Sequence, residues 1–305
     1  DLDGVGVSTG PAERRDRVFG RFGGVPAVCD LHPSGGSHPA LVKVVVCLDT
    51  TRRVSLPHRF NCLGRAGNGM SVSFDFDGRV AVVTGACGAL GSAVVEQFHD
   101  AGATVAAVDV VSPDDEDALL DIEAGIEYYQ IDLTDEADVE RGIDDIVDDH
   151  GGIDYLANVA GTWCGGQPIE ETPVDEFDML FDVNLKTAFL ASKHALPHLH
   201  DGAGAIVSIS SRSSLSGGEG DGPYRASKAG VRLLTETLAE ENSGDVRANA
   251  VMPSVIDTPA NREMMPDADH DSWPTPAEIA EVICFLCSDA SGVTSGAAVP
   301  VYGEA

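Results

Sequence analysis

From residue 78 onward, short runs of β-branched and small apolar residues alternate with longer amphipathic stretches. VAVVTG (80–85), TVAAVDV (104–110), IEYYQID (126–132), IDYLANVAG (153–161), AIVSIS (205–210), VRANAV (246–251) and AAVPVY (297–302) read as strands. Between them apolar positions recur every three to four residues. That spacing predicts helices over 89–101, 135–149, about 174–200, 222–241 and 276–288, with a short one near 114–121. Strands alternating with helices predict an α/β fold, a parallel sheet of about seven strands with helices on both faces. Right-handed crossovers make such a sheet doubly wound.

Residues 1–69 break this pattern. Gly, Pro, Arg and Ser are frequent there, and only LVKVVVCL (41–48) reads as a strand. No apolar segment follows a basic start, so no signal-peptide pattern is present. The charge changes at the same boundary: residues 1–69 carry nine basic and six acidic residues, a net +3, whereas 70–305 carry ten basic and 44 acidic, a net −34. The expectation is a poorly structured extension over 1–69, translated upstream of a true start at Met70, ahead of one domain over 70–305. Deleting 1–69 is expected to leave activity intact.

Over the whole chain 50 acidic residues face 19 basic ones, a net charge of −31. Such a balance repels nucleic acid and anionic membranes, so neither is expected as a partner. No run of 18 apolar residues exists to span a bilayer. Lysine is nearly absent, with only Lys43, Lys186, Lys193 and Lys228. An acidic, lysine-poor surface stays hydrated when salt screens its repulsion, so the expected setting is the cytoplasm of a high-salt organism. Seven cysteines without a regular framework fit a reducing compartment. Cys284 and Cys287 fall in an amphipathic helical pattern and read as core. His194 and His198 lie one turn apart with Pro197 between them and no evident acidic partner. No metal is expected.

The candidate chemistry centres on SRSSLSGGEGDGPYRASK (211–228). Tyr224 and Lys228 stand four apart on a predicted helix and so share a face. An ammonium beside a phenol is expected to pull the phenol's pKa down towards working pH, which suits Tyr224 to move a proton at a carbonyl or alcohol. Ser211, at the end of a predicted strand, could polarise the same oxygen. Upstream, Thr84-Gly85-Ala86-Cys87-Gly88-Ala89-Leu90-Gly91 follows a strand and opens a helix, where glycines admit a pyrophosphate to the helix N-terminus. Asp109 ends the next strand, placed to accept hydrogen bonds from ribose hydroxyls and to repel a 2′-phosphate. No basic residue occupies 86–90 or the two positions after Asp109, so NAD(H) is favoured over NADP(H).

On these residues the chain resembles the short-chain dehydrogenase/reductase family over about residues 73–305, which implies a Rossmann fold. Gly85 and Gly91 match the family's cofactor turn, while Ala89 stands at its middle glycine with Gly88 just before. The resemblance assigns Asp132 to the adenine and places Leu133 beside it among the cofactor-binding residues. Asn158, Ala160 and Gly161 fall on its Asn-Asn-Ala-Gly motif, with Val159 replacing one asparagine. Asn184, Ser211, Tyr224 and Lys228 match the catalytic tetrad, in which the lysine also grips the nicotinamide ribose and the asparagine holds a water. Pro253, Val255, Ile256 and Thr258 correspond to the loop that reaches the nicotinamide carboxamide. The family's habit also implies a homotetramer through the helices at about 174–200 and 222–241.

The implied activity is hydride exchange between nicotinamide and a small carbonyl or alcohol. The loop after Thr258 offers Met264, Met265 and Trp273 as lid residues over an apolar pocket. Its pattern is similar to dihydropteridine reductases, a branch that lacks the serine, so a pteridine reductase is one alternative. A catalytically silent NAD sensor on the same fold is the other.

Overall fold

The computed structural model describes residues 16–22, 25–31, 43–46, 73–199 and 204–304. The chain divides into two units, residues 1–69 and 70–305. In the first, β1 (Asp16–Phe22), β2 (Val25–Leu31) and β3 (Lys43–Val46) form a three-stranded antiparallel sheet in that order. The strand expected over 41–48 is β3, and its flanking residues lie outside the described ones. β1 and β2 were not expected. The sequence Gly23-Gly24 between them is a two-residue hairpin signal that the surrounding arginines and glycines obscure.

In the second unit β4 (Val80–Thr84), β5 (Thr104–Asp109), β6 (Ile126–Gln130), β7 (Tyr155–Asn158), β8 (Gly204–Ile209), β9 (Val246–Pro253) and β10 (Ala298–Val301) make one sheet. Its order is β10-β9-β8-β7-β4-β5-β6, and every pairing is parallel. The order reverses direction between β4 and β7. A ligand crevice opens at such a point, outside the carboxyl ends of the strands.

Both sheet faces are covered, which is why the central strands are apolar at consecutive positions. Helices α1 (Ala89–Asp100) and α7 (Pro276–Cys287) cover one face through Val94, Phe98, Ile279, Ile283 and Leu286. Helices α2 (Glu136–His150), α4 (Thr187–Ala195) and α5 (Gly222–Glu241) cover the other through Val139, Ile143, Ile146, Leu190 and Leu238. Cys284 and Cys287 are both buried in the α7 core, and burial pushes their thiols up. Helix ends follow local chemistry: Asp135 caps α2 by accepting from Asp138 N–H, and Gly151 at φ +81° stops it. Thr275 and Glu278 form a reciprocal capping box at α7.

Two expected helices differ. Residues 114–121 form turns rather than a helix, because Ser112 and Asp115 side chains capture the backbone N–H groups of Asp114 and Asp117. The helix expected over about 174–200 is broken into α3 (Val174–Phe181), a π-turn over Asp182–Lys186 and α4, with a 3-10 turn at Leu196–His198 where Pro197 prevents continuation. Residue 200 lies outside the described ones.

A buried carboxylate braces the amino ends of the central strands β4 and β7. Asp154, almost fully buried, accepts from Arg79 Nη1 at 2.7 Å and from Val80 N–H at 2.8 Å. Arg79→Met removes one partner of that carboxylate from a pair whose arginine is 36% exposed, and urea unfolding should register a loss of about 1–2 kcal/mol. An unchanged midpoint would show the carboxylate to be adequately held without Arg79.

Candidate active site

The crevice at the β4/β7 reversal is a cavity of about 420 Å³ lined by Gly85, Gly88, Ala89, Leu90, Gly91, Asp109, Asp132, Leu133, Ala160 and Gly161, among others. Its floor depends on glycine at two positions. Gly85 has φ +68°, and a Cβ there would lie 2.8 Å from Ala160 Cα; a Cβ on Gly91 would lie 1.9 Å from Gly85 carbonyl oxygen. A Cβ on Gly88, by contrast, would meet only Gly85 oxygen at 3.4 Å, an ordinary contact, so this position does not require glycine for space. Gly88 gives α1 no side-chain cap, which leaves first-turn N–H groups facing the cavity as anion donors.

Thr84 ties the two sides of the reversal together. Its Oγ1 accepts from Val159 N–H at 3.0 Å and Ala160 N–H at 3.1 Å. Asp109 reaches over the turn: one carboxylate oxygen accepts from Cys87 N–H at 2.9 Å and the other from Val111 N–H at 3.1 Å. Asp132 accepts from both the hydroxyl and the N–H of Thr134, which holds its carboxyl below the usual range. Asn158 lies outside the cavity lining. Its Nδ2 instead donates to Ser192 Oγ at 2.9 Å and Ser208 Oγ at 3.2 Å, joining β7 to α4 and β8.

Beyond Gly161 the cavity meets a second cluster. A Cβ on Gly161 would lie 2.8 Å from Lys228 Nζ and 2.9 Å from Asn184 Oδ1. Three elements therefore converge on one backbone position. Asn184 is 1% exposed because the π-turn swings it inward. Its Oδ1 accepts from Thr162 N–H at 2.8 Å, and its Nδ2 donates to Ser227 Oγ at 3.1 Å. Lys228, on α5, is buried and donates to Ile209 carbonyl oxygen at 3.0 Å. One turn before it, Tyr224 shares a hydrogen bond with Ser211, whose Oγ also accepts from Ser213 N–H at 3.1 Å.

The electrostatics reverse one expectation. Burial raises the Tyr224 phenol above its ordinary pKa, the Ser211 hydrogen bond opposing that rise, with Asp221 raising it further and Arg225 lowering it. The same burial pushes the Lys228 ammonium down to about 8. Desolvation disfavours both charged forms, and the Lys228 proton is directed at Ile209 rather than at the phenol. The labile proton of the isolated protein therefore sits on the lysine.

On the far side, Thr258 caps α6 (Pro259–Met264) by accepting from Asn261 N–H at 3.2 Å, and Asn261 Nδ2 donates to Ile256 carbonyl oxygen at 2.8 Å. Asp257 takes Arg262 in a two-pronged pair at 2.5 and 2.7 Å. Pro253 is buried at the end of β9, with Val255 half-buried after it. Trp273, an expected lid residue, is instead buried: its ring lies 4.7 Å from that of His270, and the C-terminal strand-end folds over it through Glu304 N–H to Ser272 oxygen at 2.9 Å. Met264 remains exposed.

Thr84 stands in the glycine turn but its tie to β7 is not evident from the sequence, and neither is the part of Thr162 and Ser227 in the cluster. Their partners lie 22 to 76 residues away, and only the fold brings them together. Every one of the ten basic residues in 70–305 already has a partner within the chain; Arg247, for example, donates to the carbonyls that end α7. Among the described residues no Lys or Arg lines the cavity.

A sequence family described as enoyl-(acyl carrier protein) reductase matches residues 85–303. The 3-oxoacyl-[acyl-carrier-protein] reductase of Thermotoga maritima is 32% identical over 242 residues, covering 74% of this chain and 97% of that protein. The meso-2,3-butanediol dehydrogenase of Serratia marcescens is 33% identical over 241 residues, covering 75% and 95%. Among solved structures, a glucose/ribitol dehydrogenase from Brucella melitensis superposes with a TM-score of 0.70 at 30% identity, over 76% of this chain and 98% of its own. The aldohexose dehydrogenase of Thermoplasma acidophilum gives 0.66 at 29% identity, over 76% and 94%.

Proposed function

Since the chain belongs to the short-chain dehydrogenase/reductase family of oxidoreductases, we propose that it acts on a small, uncharged carbonyl or alcohol with NAD(H), using Tyr224 as general acid and base. The observation that carries this reading is the convergence of Lys228 Nζ and Asn184 Oδ1 on Gly161, at the end of the cavity that begins at the uncapped α1.

The cavity residues fit a dinucleotide. First-turn N–H groups of α1 would hold the pyrophosphate, Asp109 the adenosine ribose, and Asp132 with Leu133 the adenine side. When bound, the nicotinamide supplies or accepts the hydride. Ser211 donates to the substrate oxygen where charge develops, and Tyr224 delivers or removes that oxygen's proton. Lys228 stabilises the phenolate that forms and relays protons through its own lowered pKa. Asn184, fixed by Thr162 and Ser227, keeps the inner end of that relay in register.

The preference for NAD(H) rests on Asp109 and on the absence of any cation along the cavity. Val110 is 58% exposed beside Asp109 at the rim. Val110→Arg should raise the NADPH-to-NADH ratio of kcat/KM by roughly tenfold, and a wild-type enzyme that already prefers NADPH would refute the assignment. The same shortage of unengaged cations argues for an uncharged substrate over one carrying phosphate. Exposed Val174, Phe177 and Phe189 on α3 and α4, with Leu233 on α5, support a homotetramer, testable by size exclusion in molar salt. The cytoplasm of a high-salt organism suits the net −34 of residues 70–305.

NADH absorbance, followed at high salt with ketones, alcohols, sugars and quinonoid pterin, tests the function. Turnover confined to pterin would give the pteridine reductase, and NADH binding without turnover would give the sensor. The Ser211–Tyr224 hydrogen bond favours the dehydrogenase over both. Removing residues 1–69 should leave kcat/KM within about twofold, because every site residue lies in the second unit.

A further inference from the structure

The segment joining Ser211 to Tyr224 is SGGEG (216–220) at its centre, with no side chain able to hold it except Glu219 and Ser216. Glycine in such numbers leaves a loop floppy unless something outside it supplies restraint. That restraint comes from Arg225, the residue after Tyr224. Its Nε donates to Asp221 at 2.5 Å, its Nη1 donates to Ser216 carbonyl oxygen at 3.2 Å, and its guanidinium lies flush against Gly218, where a Cβ would fall 2.2 Å from Cζ. Arg225 and Asp221 side chains are only 24% and 14% exposed, so the pair is shielded from competing water.

The loop is stitched on its other side as well. Gly166 N–H donates to Gly220 carbonyl oxygen at 2.6 Å, and a Cβ on Gly222 would lie 2.6 Å from Ile169 Cδ1. Residues 216–222 therefore close against the segment that continues from Gly161 and Thr162, next to the cluster described above. We propose that Arg225 is a positioning residue: its planar fork fixes the glycine-rich loop 216–220 and Asp221 in the shape whose far side, at Gly220, Asp221 and Gly222, packs on residues 165–169, and so builds the substrate-side wall beside Tyr224. This inference rests on the reading of Tyr224 as the proton carrier. Lysine cannot replace the fork, since one ammonium reaches Asp221 but cannot also lie flat under Gly218 and hold Ser216.

The test compares the full-length protein with Arg225→Ala and Arg225→Lys, by steady-state kinetics on whichever ketone, alcohol or sugar of that panel the wild type turns over, NADH fluorescence titration and amide hydrogen exchange. In Arg225→Ala, exchange at Gly166, whose N–H donates to Gly220 carbonyl oxygen, should accelerate while the sheet stays protected. KM should rise by roughly tenfold with kcat changed less than about threefold, and NADH affinity should hold. Arg225→Lys should recover only part of the KM. Faster exchange with unchanged KM would overturn the proposal, because the loop would not border the substrate. Raised KM with unchanged exchange would also overturn it, because Arg225 would then touch substrate directly, and no change in either would do the same. Exchange reports on the clamp whether or not Tyr224 is the proton carrier. A fully active Tyr224→Phe would sink that reading while leaving the exchange result to judge Arg225 alone.

Discussion

Tyr224→Phe is expected to lower kcat by about a thousandfold while NADH binds within about twofold of wild type. The ring is held in α5 by packing that phenylalanine reproduces, so the variant deletes the oxygen and little else. What disappears is the one hydroxyl that shares a hydrogen bond with Ser211 beside the Lys228–Asn184–Gly161 convergence. Single-turnover absorbance at 340 nm paired with fluorescence titration separates the chemical step from binding. A variant that still turns over at a tenth of the wild-type rate would remove Tyr224 from the chemistry.

Lys228→Met is expected to be inactive and yet more stable than the wild type at neutral pH. Burial holds the ammonium at about 8 instead of its ordinary 10.5. Below about 8 folded and unfolded chains both carry the proton, and the penalty for burying the charge is fully present. Between about 8 and 10.5 the unfolded chain alone holds it, so wild-type stability rises with pH across that window. The penalty at pH 7 is roughly 3 kcal/mol, offset by about 1 kcal/mol for the bond to Ile209 that methionine cannot make. The variant should therefore exceed the wild type by about 2 kcal/mol at pH 7, a gap that shrinks and then reverses as pH climbs past 10. Other groups titrate at those pH values in both proteins and cancel in the difference. Urea midpoints measured from pH 6 to 10.5 check this, and a wild type that is the more stable protein at pH 7 would contradict it.

The fold was legible because a parallel sheet buried on both faces needs consecutive apolar strand residues, and β4, β5, β7 and β8 are written that way. The cofactor turn and the Tyr224–Lys228 spacing were legible for a related reason: each is local, within one turn or one helix. Features that depend on distant partners were not. Nothing in FDVNLKTAF distinguishes a π-turn from an ordinary helix, since the turn is sustained by Asn184 bonding to Thr162 and Ser227. The acidic stretch at 114–121 has helical spacing, but its own side chains outcompete the helix for backbone N–H groups. Asn158 falls on the family's Asn-Asn-Ala-Gly motif, but that its Nδ2 donates to serines of α4 and β8 depends on residues 34 and 50 positions away. Trp273 looked like a lid because its covering, the strand-end at 303–304, is about thirty residues further along. Spacing from Lys228 alone predicts a lowered Tyr224 pKa, but burial, which a local sequence window does not show, is the larger influence and raises it.

The widened turn at Asp182–Lys186 has a consequence for length variation in this chain. A π-turn holds one residue more than an α-turn, so losing a single residue between 182 and 186 would leave an uninterrupted helix and relax the backbone. It would also rotate everything before it by roughly 100° relative to α4, carrying the Asn184 amide out of reach of Thr162. A deletion there would improve the local helix and pull apart the Gly161–Asn184–Lys228 cluster in one step.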